Sequence, residues 1–437
     1  MKPCPLGRNA RSTYPCVVAF ALVNLFAVAV ATPARAEDPV EPAAAALDPR
    51  RYELAGFPII GGNSDIGVQF GGAATWTRFY DGVHPYLWNI DLLLSASVKD
   101  DTTGFRMVQQ SHVLRLDAPD LFGGKGRLDL RGSFQRTINQ GYYGIGNATV
   151  AAVPAGQPNV GRDYQYIQQE GRVRAIVRVY HLLGPFDLAL GGNLRVEAPQ
   201  AYAGSQLAQD LSYHESDGSP YLTGASTMLL GTASAGVIID TRDNEFVTRS
   251  GYYYQLGVAG TVGSADLASY GEGSAVLSHY APLGPVFIFA QRFVGSFQFG
   301  RVPFYDLAQG GVFEPQYLLG SEQGVRGVPL GRYAGRIKMI SNTELRATPF
   351  PRFHVLGQRL RIGTNLFFDV GRAWSDWQWV SPADGYNIGL KYGVGGGVFL
   401  QWGEAAIFRV EVAYSPDAES ENPGFPVGIY VSDGLMF

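Results

Sequence analysis

Residues 168–180 of the chain read QQEGRVRAIVRVY. Apolar and charged residues alternate in it, with Val173, Ala175, Val177 and Val179 on one face and Glu170, Arg172, Arg174 and Arg178 on the other. A period of two is that of a β-strand, whose successive side chains point to opposite faces. Charges at alternate positions are costly against lipid and cheap against a wet lumen, so the pattern predicts a strand of a membrane β-barrel.

The same alternation recurs in residues 86–99, 361–371 and 406–414. Their predicted lipid-facing residues are Trp88, Ile90, Leu92, Leu94, Ala96, Ile362, Leu366, Phe368, Val370, Phe408, Val410, Val412 and Tyr414. Their predicted lumen-facing residues are Asn89, Asp91, Ser95, Ser97, Arg361, Asn365, Asp369, Arg409 and Glu411, with Leu93 as an exception. The apolar outer face is therefore a property of the chain at large.

Counting such segments predicts one all-β domain over residues 57–437, a transmembrane antiparallel β-barrel of about sixteen strands. The predicted strands are 57–63, 66–77, 86–98, 105–116, 125–136, 163–180, 185–198, 226–240, 251–262, 269–280, 286–300, 336–348, 359–372, 389–402, 406–415 and 427–437. Long connections mostly follow odd-numbered strands and tight turns follow many even-numbered ones, as expected for extracellular loops and periplasmic turns. The alternative, a multidomain β-sandwich protein, predicts no such parity.

Composition supports the barrel and excludes other classes. Aromatic residues make up 13% of the chain and charged residues 16%, against about 25% charged residues in ordinary soluble domains. No stretch after residue 36 contains 18 consecutive apolar residues, so spanning helices are not expected. A closed barrel pairs every backbone group in lipid without such helices.

The first 36 residues have the pattern of a cleaved signal peptide. Basic residues precede an apolar run over 17–31, and Ala34-Arg35-Ala36 is a small-x-small cleavage site. Both cysteines, Cys4 and Cys16, lie in this segment, so we expect neither a disulfide nor a thiolate site in the exported chain. The formal net charge is −4 for the full chain and −8 for the exported chain, because the removed segment contains four basic residues. This negative charge argues against nucleic-acid binding. Residues 37–56, rich in Pro and Ala at their start, are predicted to form a flexible leader.

Four features resemble the superfamily of outer-membrane assembly and two-partner secretion, the BamA/TamA-type or bacterial surface antigen barrel. Residues 319–327, LGSEQGVRG, are similar to its loop motif and contain Gly324, Val325, Arg326 and Gly327. Residues 367–371, FFDVG, are similar to its strand motif and contain Phe367, Asp369 and Gly371. The turn with Asp240, Arg242 and Asp243, and the carboxy-terminal Leu435 and Phe437, complete the match, which covers nearly all of residues 57–437. Val328 departs from the motif, which usually has an aromatic residue there, and we expect Tyr333 to substitute for it.

The resemblance implies that the sixth long loop folds back into the lumen. Arg326 would then form a luminal salt bridge with Asp369, with Glu344 as a second acceptor. The alternative is an arginine that is solvated in an extracellular loop. For Asp240, Arg242 and Asp243 we favour a structural network in a periplasmic turn over a client-binding site, while Leu435 and Phe437 resemble a signal for the outer-membrane assembly machinery.

The resemblance implies several alternative functions. We expect a non-enzymatic barrel of the bacterial outer membrane, without POTRA domains, in contact with lipid and monomeric. It would serve outer-membrane protein assembly or polypeptide translocation, with unfolded clients or a periplasmic partner, or it would be a passive solute channel or a structural barrel. No metal-spaced His pair and no G-x-S-x-G motif occurs, so we expect no catalytic residues, no metal and no cofactor.

The junction of the first and last predicted strands is rich in residues that weaken strands. Gly61, Gly62 and Asn63 lie in the first, and Ser432-Asp433-Gly434 lies in the last. Two interpretations remain open: a lateral gate like that of the insertase members, or strand ends that are simply irregular.

Overall fold

The computed structural model describes residues 50–437 except 64–65, 84, 102–103, 153–159, 356–357, 379–380, 403–405, 422–423 and 434. The predicted signal peptide and most of the predicted leader lie outside the described residues. No helix among the described residues is long and apolar enough to cross a membrane.

Sixteen antiparallel strands form one closed barrel, which confirms the predicted fold. They are β1 Tyr52–Asn63, β2 Gly67–Arg78, β3 Trp88–Asp101, β4 Gly104–Leu121, β5 Gly126–Gly141, β6 Gln165–Leu183, β7 Phe186–Glu197, β8 Met228–Asp240, β9 Gly251–Gly263, β10 Ser269–Leu283, β11 Phe287–Arg301, β12 Ile337–Ala347, β13 Gln358–Trp374, β14 Lys391–Trp402, β15 Ala406–Tyr414 and β16 Val427–Asp433. Each strand pairs with its neighbours in sequence, and β16 also pairs with β1.

The alternation of side chains decides which face of each strand is outside. On β6, Val173 is 58% exposed while its neighbour Arg174 is 8% exposed. Likewise on β13, Phe368 is exposed and Asp369 is buried. Apolar side chains thus cover the outside of the barrel, while polar ones line the inside, as the period-two pattern predicts.

The two terminal strands differ from their predicted bounds. β1 begins at Tyr52 instead of residue 57, because its aromatic ring packs against Trp76 and Trp88 and Arg78 lies 4.0 Å above that ring. β16 ends at Asp433 instead of residue 437. Local composition does not reveal the start of β1, because it depends on these contacts with other strands.

Shorter elements lie in the connections. The helix α1, Gln206–Ser212, begins where the Ser205 hydroxyl accepts a hydrogen bond from the Ala208 backbone N–H at 3.2 Å. The remaining short elements are the 3₁₀ segments Gly161–Tyr164, Pro382–Asp384 and Pro416–Ser420 and the short strands Gln200–Ala201, Gln309–Gly310, Gln316–Tyr317 and Phe353–Val355.

The longest connection, residues 302–336 between β11 and β12, is here called the inward loop. Most of its side chains are buried, and they contact lumen-facing residues of several strands. Its apolar residues form clusters, one of which contains Leu318, Val325 and Val328 together with Val294 of β11 and Ile340 of β12. The inward loop therefore supplies much of the packed interior of the barrel.

Candidate functional site

A buried ion pair joins the inward loop to β13. The Arg326 Nε atom donates to Asp369 Oδ2 at 2.7 Å, and Nη2 donates to Asp369 Oδ1 at 3.0 Å. The Arg326 backbone N–H also donates to Asp369 Oδ2, at 3.1 Å. Both side chains are fully buried. This is the bidentate geometry that a planar guanidinium offers to a carboxylate and an ammonium does not.

Two further carboxylates complete the surroundings of Arg326. Its Nη1 atom donates to Glu344 Oε1 of β12 at 2.7 Å and to Glu411 Oε1 of β15 at 2.9 Å. Arg346 donates to the other oxygen of Glu344 at 2.7 Å, and Arg409 Nη1 lies 3.7 Å from Glu411. We call Arg326, Asp369, Glu344 and Glu411 the luminal ion-pair site.

The charge of Arg326 is permanent in this setting. Burial by itself lowers the pKa of its guanidinium, but Asp369, followed by Glu344, raises this pKa well above its ordinary value. A buried ion pair is stable only if its partners satisfy it fully, since each ion has lost its water. Three carboxylates around one guanidinium meet this condition for Arg326.

An aromatic ring and two glycines surround the luminal ion-pair site. The Arg326 Cζ atom lies 3.5 Å from the centre of the Phe367 ring, in a cation–π contact. On β14, Gly393 faces the backbone of the inward loop, and a Cβ there would run into the carbonyl oxygen of Arg326. Gly397 similarly leaves room for the Glu411 side chain, which Asn365 of β13 contacts through a 2.6 Å hydrogen bond.

The glycines of the loop motif have separate roles. Gly327 has φ +89°, a conformation that L side chains rarely adopt, and its N–H donates to the Tyr430 hydroxyl at 2.8 Å. Gly324 passes close to the chain at Leu318, whose carbonyl oxygen a Cβ would meet. Val325 is fully buried, and Gly371 of the strand motif is the position where a Cβ would press on it, at 3.2 Å.

Val328 and Tyr333 are both buried where the loop motif departs from its usual form. Tyr333 joins the apolar cluster that contains Val325 and Val328, and its hydroxyl donates to Asp417 Oδ1 at 2.6 Å. The aromatic group therefore packs against the inward loop from five residues further along the chain.

A second ion pair, which the sequence analysis missed, holds the beginning of the inward loop to β7. Arg195 Nη1 and Nη2 donate to the two carboxylate oxygens of Asp306 at 2.8 and 2.6 Å. The Tyr270 hydroxyl donates to Asp306 at 2.8 Å. The signal in the sequence is that Arg195 stands between the apolar residues Leu194 and Val196 of a predicted strand, whereas Asp306 lies in a loop without a motif.

Phe313 is a third point of attachment, also missed. Its ring lies against β7, β8 and β9 at Gly191, Gly236 and Gly257, where side chains would fill the same space. Phe313 is 4% exposed and shares an apolar cluster with Ala189 and Ile238.

The predicted periplasmic turn residues form a compact network. Arg242 donates to both oxygens of Asp240, at 2.9 and 2.8 Å. Asp243 accepts hydrogen bonds from the backbone N–H groups of Arg249 and Ser250 at 2.9 and 3.1 Å. These bonds close the turn between β8 and β9 on itself.

The carboxy-terminal residues lie beyond the last strand. The Phe437 ring lies within 5.1 Å of the guanidinium carbon of Arg292 and within 5.0 Å of that of Arg346. The Phe437 carbonyl oxygen accepts a 2.7 Å hydrogen bond from Arg346. Leu435 is partly buried. Their assignment as an assembly signal remains a prediction.

No group of three or more His, Cys, Asp or Glu side chains in the described part of the chain is placed to hold a metal ion.

Comparison with known proteins matches the chain to one family and to barrels of known structure. Residues 117–429 match the Omp85 superfamily domain. The structure is similar to BamA from Haemophilus ducreyi lacking POTRA domains 1-3, with 14% identity and a TM-score of 0.52 over 88% of this chain and 70% of that one. CdiB from Escherichia coli has 14% identity and a TM-score of 0.53, over 90% and 63% of the two chains.

CdiB from Acinetobacter baumannii has 14% identity and a TM-score of 0.51, over 89% of this chain and 60% of that one. The chain thus spans 60% to 70% of the length of these three proteins. At this identity the similarity shows the barrel fold alone. No curated protein matches the sequence.

Proposed function

Because this chain belongs to the Omp85 superfamily and is a barrel of the bacterial outer membrane, we propose that it serves outer-membrane protein assembly or polypeptide translocation. Superfamily members such as BamA and CdiB are assembly or transport proteins, and we propose a non-enzymatic role here as well. Its partners would be membrane lipid and either unfolded outer-membrane proteins or a periplasmic protein, with the barrel itself a monomer.

The observation that carries this proposal is the weak junction between β1 and β16. β1 pairs with β2 through twelve residue pairs, from Tyr52 to Asn63. Its pairing with β16 consists of Gly62 with Val431 and Asn63 with Tyr430. Among the described residues, 52–61 have no register partner in β16. A strand edge with unpaired backbone groups is costly in lipid and is a template for another strand.

The inward loop favours the lateral route over the lumen as the path for a polypeptide. Arg326 attaches this loop to β13, whereas Asp306 and Phe313 attach it to the wall formed by β7, β8 and β9. A polypeptide crossing the lumen would have to separate these contacts, whereas a client strand at the junction would add to β1. We therefore propose that the luminal ion-pair site holds the inward loop in place while the seam between β1 and β16 receives clients.

A reversible cross-link of this seam tests the proposal. A Cβ built on Gly61 lies 3.7 Å from Val431 Cγ1, so Gly61→Cys with Val431→Cys is suited to a disulfide. The matched control is Ile60→Cys with Phe70→Cys, because these residues are register partners on β1 and β2, which are already fully paired. Each variant is reconstituted in liposomes, and the insertion of an added unfolded outer-membrane protein is measured before and after reduction.

We expect the oxidised seam variant to lose insertion and to regain it on reduction, while the control is active in both states. Full activity with the seam closed would contradict a lateral route. No insertion by the unmodified protein, alone or with a periplasmic extract, would contradict an assembly role.

The second candidate is a passive solute channel, and a polar cavity of about 910 Å³ inside the barrel favours it. The protein would then take up solutes instead of inserting clients. In that case, deleting residues 316–334 would raise ion conductance in planar bilayers. Conductance that is unchanged by this deletion would argue against the channel.

A further inference from the structure

The cavity of about 910 Å³ lies between the inward loop and the rim of short turns. Gln316 and Tyr317 of the inward loop line one part of it. Arg242 and Glu245 of the turn after β8, together with Phe437 at the chain end, line another part. Both of these latter elements lie at the ends of strands that the sequence analysis assigns to the periplasm, so we place the cavity on the periplasmic side of the inward loop.

Three arginines form a row across the wall of this cavity. Arg115 on β4 is the register partner of Arg131 on β5, and Arg131 is the register partner of Arg174 on β6. All three line the cavity. Like charges directly opposite each other on neighbouring strands destabilise a sheet. We call Arg115, Arg131 and Arg174 the arginine row.

The carboxylates nearby do not neutralise the row. Asp129 accepts from Arg115 Nε at 2.6 Å and from Arg174 Nη2 at 3.3 Å, so one carboxylate is shared by two arginines. Glu314, a largely exposed side chain of the inward loop, lies 3.7 Å from Arg174. The Arg131 side chain, between them, has no hydrogen bond and no ion pair within the part of the chain that the structure describes, although Glu314 and Asp129 are near enough to act on its charge.

The lining of the cavity as a whole also contains more positively than negatively charged residues. Its charged residues are Arg115, Arg127, Arg131, Arg172, Arg174, Arg178, Arg242 and Arg292 against Asp129, Glu170, Glu245, Glu314 and Glu322. The chain as a whole is acidic, with a formal net charge of −4, so this basic lining runs against its overall composition. A wet cavity with one sign of charge raises the local concentration of ions of the opposite sign.

We propose that the arginine row is a binding site for a polyvalent oxyanion that enters from the periplasmic side. Guanidinium groups bind phosphate and carboxylate oxygens in two-pronged fashion. Neighbouring strands are about 4.8 Å apart, so the row spans roughly 10 Å, enough for two linked oxyanion groups. Arg131 contributes a guanidinium that makes no hydrogen bond or ion pair to any described residue, and Arg115 and Arg174 flank the ligand. This inference does not rest on the proposed function.

The control variant lies on the same strand. Arg136 is on β5, five residues from Arg131, and successive side chains of a strand alternate between faces. Its register partners are Gln110 and Gln169, and neither they nor Arg136 line the cavity, whereas Gln135 and Thr137 do. Arg136→Gln therefore removes the same charge from the same strand on its outer face.

Isothermal titration of the full-length protein in a neutral detergent with sodium pyrophosphate tests the site. We expect saturable binding that Arg131→Gln weakens at least tenfold, that Arg136→Gln leaves unchanged and that about 0.5 M salt suppresses. Citrate is the all-carboxylate probe: binding of pyrophosphate alone identifies a phosphate ligand, and comparable binding of both identifies a general oxyanion site. Absence of binding by both probes, or binding that survives Arg131→Gln, would overturn the proposal.

Thermal unfolding of the same variants separates binding from folding. Because the Arg131 side chain makes no hydrogen bond or ion pair to the residues that the structure describes and faces two like charges, ligand-free Arg131→Gln is expected to unfold at the same temperature as the unmodified protein or higher. Pyrophosphate should raise the unfolding temperature of the unmodified protein and of Arg136→Gln, but not that of Arg131→Gln. A marked loss of stability in ligand-free Arg131→Gln would show that Arg131 is structural, which contradicts the assignment.

Discussion

Arg195 of β7 holds Asp306 of the inward loop through two hydrogen bonds of 2.8 and 2.6 Å, six strands around the barrel from Asp369, which holds Arg326. The inward loop is thus tied to two separate walls by ion pairs of the same two-pronged type. Phe313 lies between these attachments in sequence and packs against β7 to β9. A segment fixed at several points resists displacement as a unit, so its attachments should be testable one at a time.

Removing the guanidinium of Arg326 should cost much of the stability of the barrel. Arg326→Ala leaves Asp369, Glu344 and Glu411 buried without their shared cation, and breaking a buried pair costs about 3–5 kcal/mol. Denaturant unfolding in detergent, followed by tryptophan fluorescence, measures this. The free energy of unfolding of Arg326→Lys should lie between those of the unmodified protein and Arg326→Ala, because lysine keeps the charge and loses the planar guanidinium.

Arg301→Ala is the control for this experiment, since Arg301 is exposed at the end of β11. Its free energy of unfolding should stay within about 0.5 kcal/mol of that of the unmodified protein. If Arg326→Ala is as stable as this control, the luminal ion-pair site contributes nothing to the fold.

A single methyl group on β14 should disturb the same site from the other side. In Gly393→Ala the new Cβ runs into the Arg326 carbonyl oxygen, and overpacking of this kind costs about 1–3 kcal/mol. Gly192→Ala on β7 is the matched control, because a Cβ there meets no heavy atom within 4 Å. Equal free energies of unfolding for the two variants would mean that the inward loop does not press on β14.

Releasing the first attachment of the inward loop should make the barrel leakier. Arg195→Gln removes both of its hydrogen bonds to the Asp306 carboxylate, which keeps the one from Tyr270 among the described residues. We expect higher and noisier conductance in planar bilayers than for the unmodified protein, with Gly192→Ala again as the control. A trace that matches the control would show that the loop position does not depend on this ion pair.

The seam should be visible without any substitution. Hydrogen exchange in detergent should be faster for the amides of residues 52–61 than for those of β9, since β9 pairs along its length with both neighbours. Protection of β1 equal to that of β9 would remove the support for a lateral gate.

Periodicity predicts the barrel well because the face of a strand residue is a local property. Whether Val173 faces lipid depends on its own strand, and its alternation with Arg174 is visible in thirteen residues of sequence. Strand ends are different. Tyr52 belongs to β1 through its contacts with Trp76 and Trp88, which no local pattern contains.

Some contacts of the inward loop were also predictable from the sequence, and others were not. The motif resemblance brings Arg326, Asp369 and Glu344 together in the sequence analysis, and Glu411 is already predicted to face the lumen there. What was missing is that Gly397 on the intervening strand leaves space for the Glu411 side chain. The pairing of Arg195 with Asp306 depends on how a long loop crosses the lumen, which composition and spacing do not encode.

The inward loop is buried in the lumen, and its burial should depend on Arg326. The most direct measurement is the rate at which a membrane-impermeant maleimide labels Val325→Cys, with Asp217→Cys in an exposed loop as the reactive reference; Cys4 and Cys16 lie in the predicted signal peptide. We expect Val325→Cys to resist labelling and to become reactive when combined with Arg326→Ala. Labelling of Val325→Cys as fast as Asp217→Cys in the otherwise unchanged protein would contradict the claim.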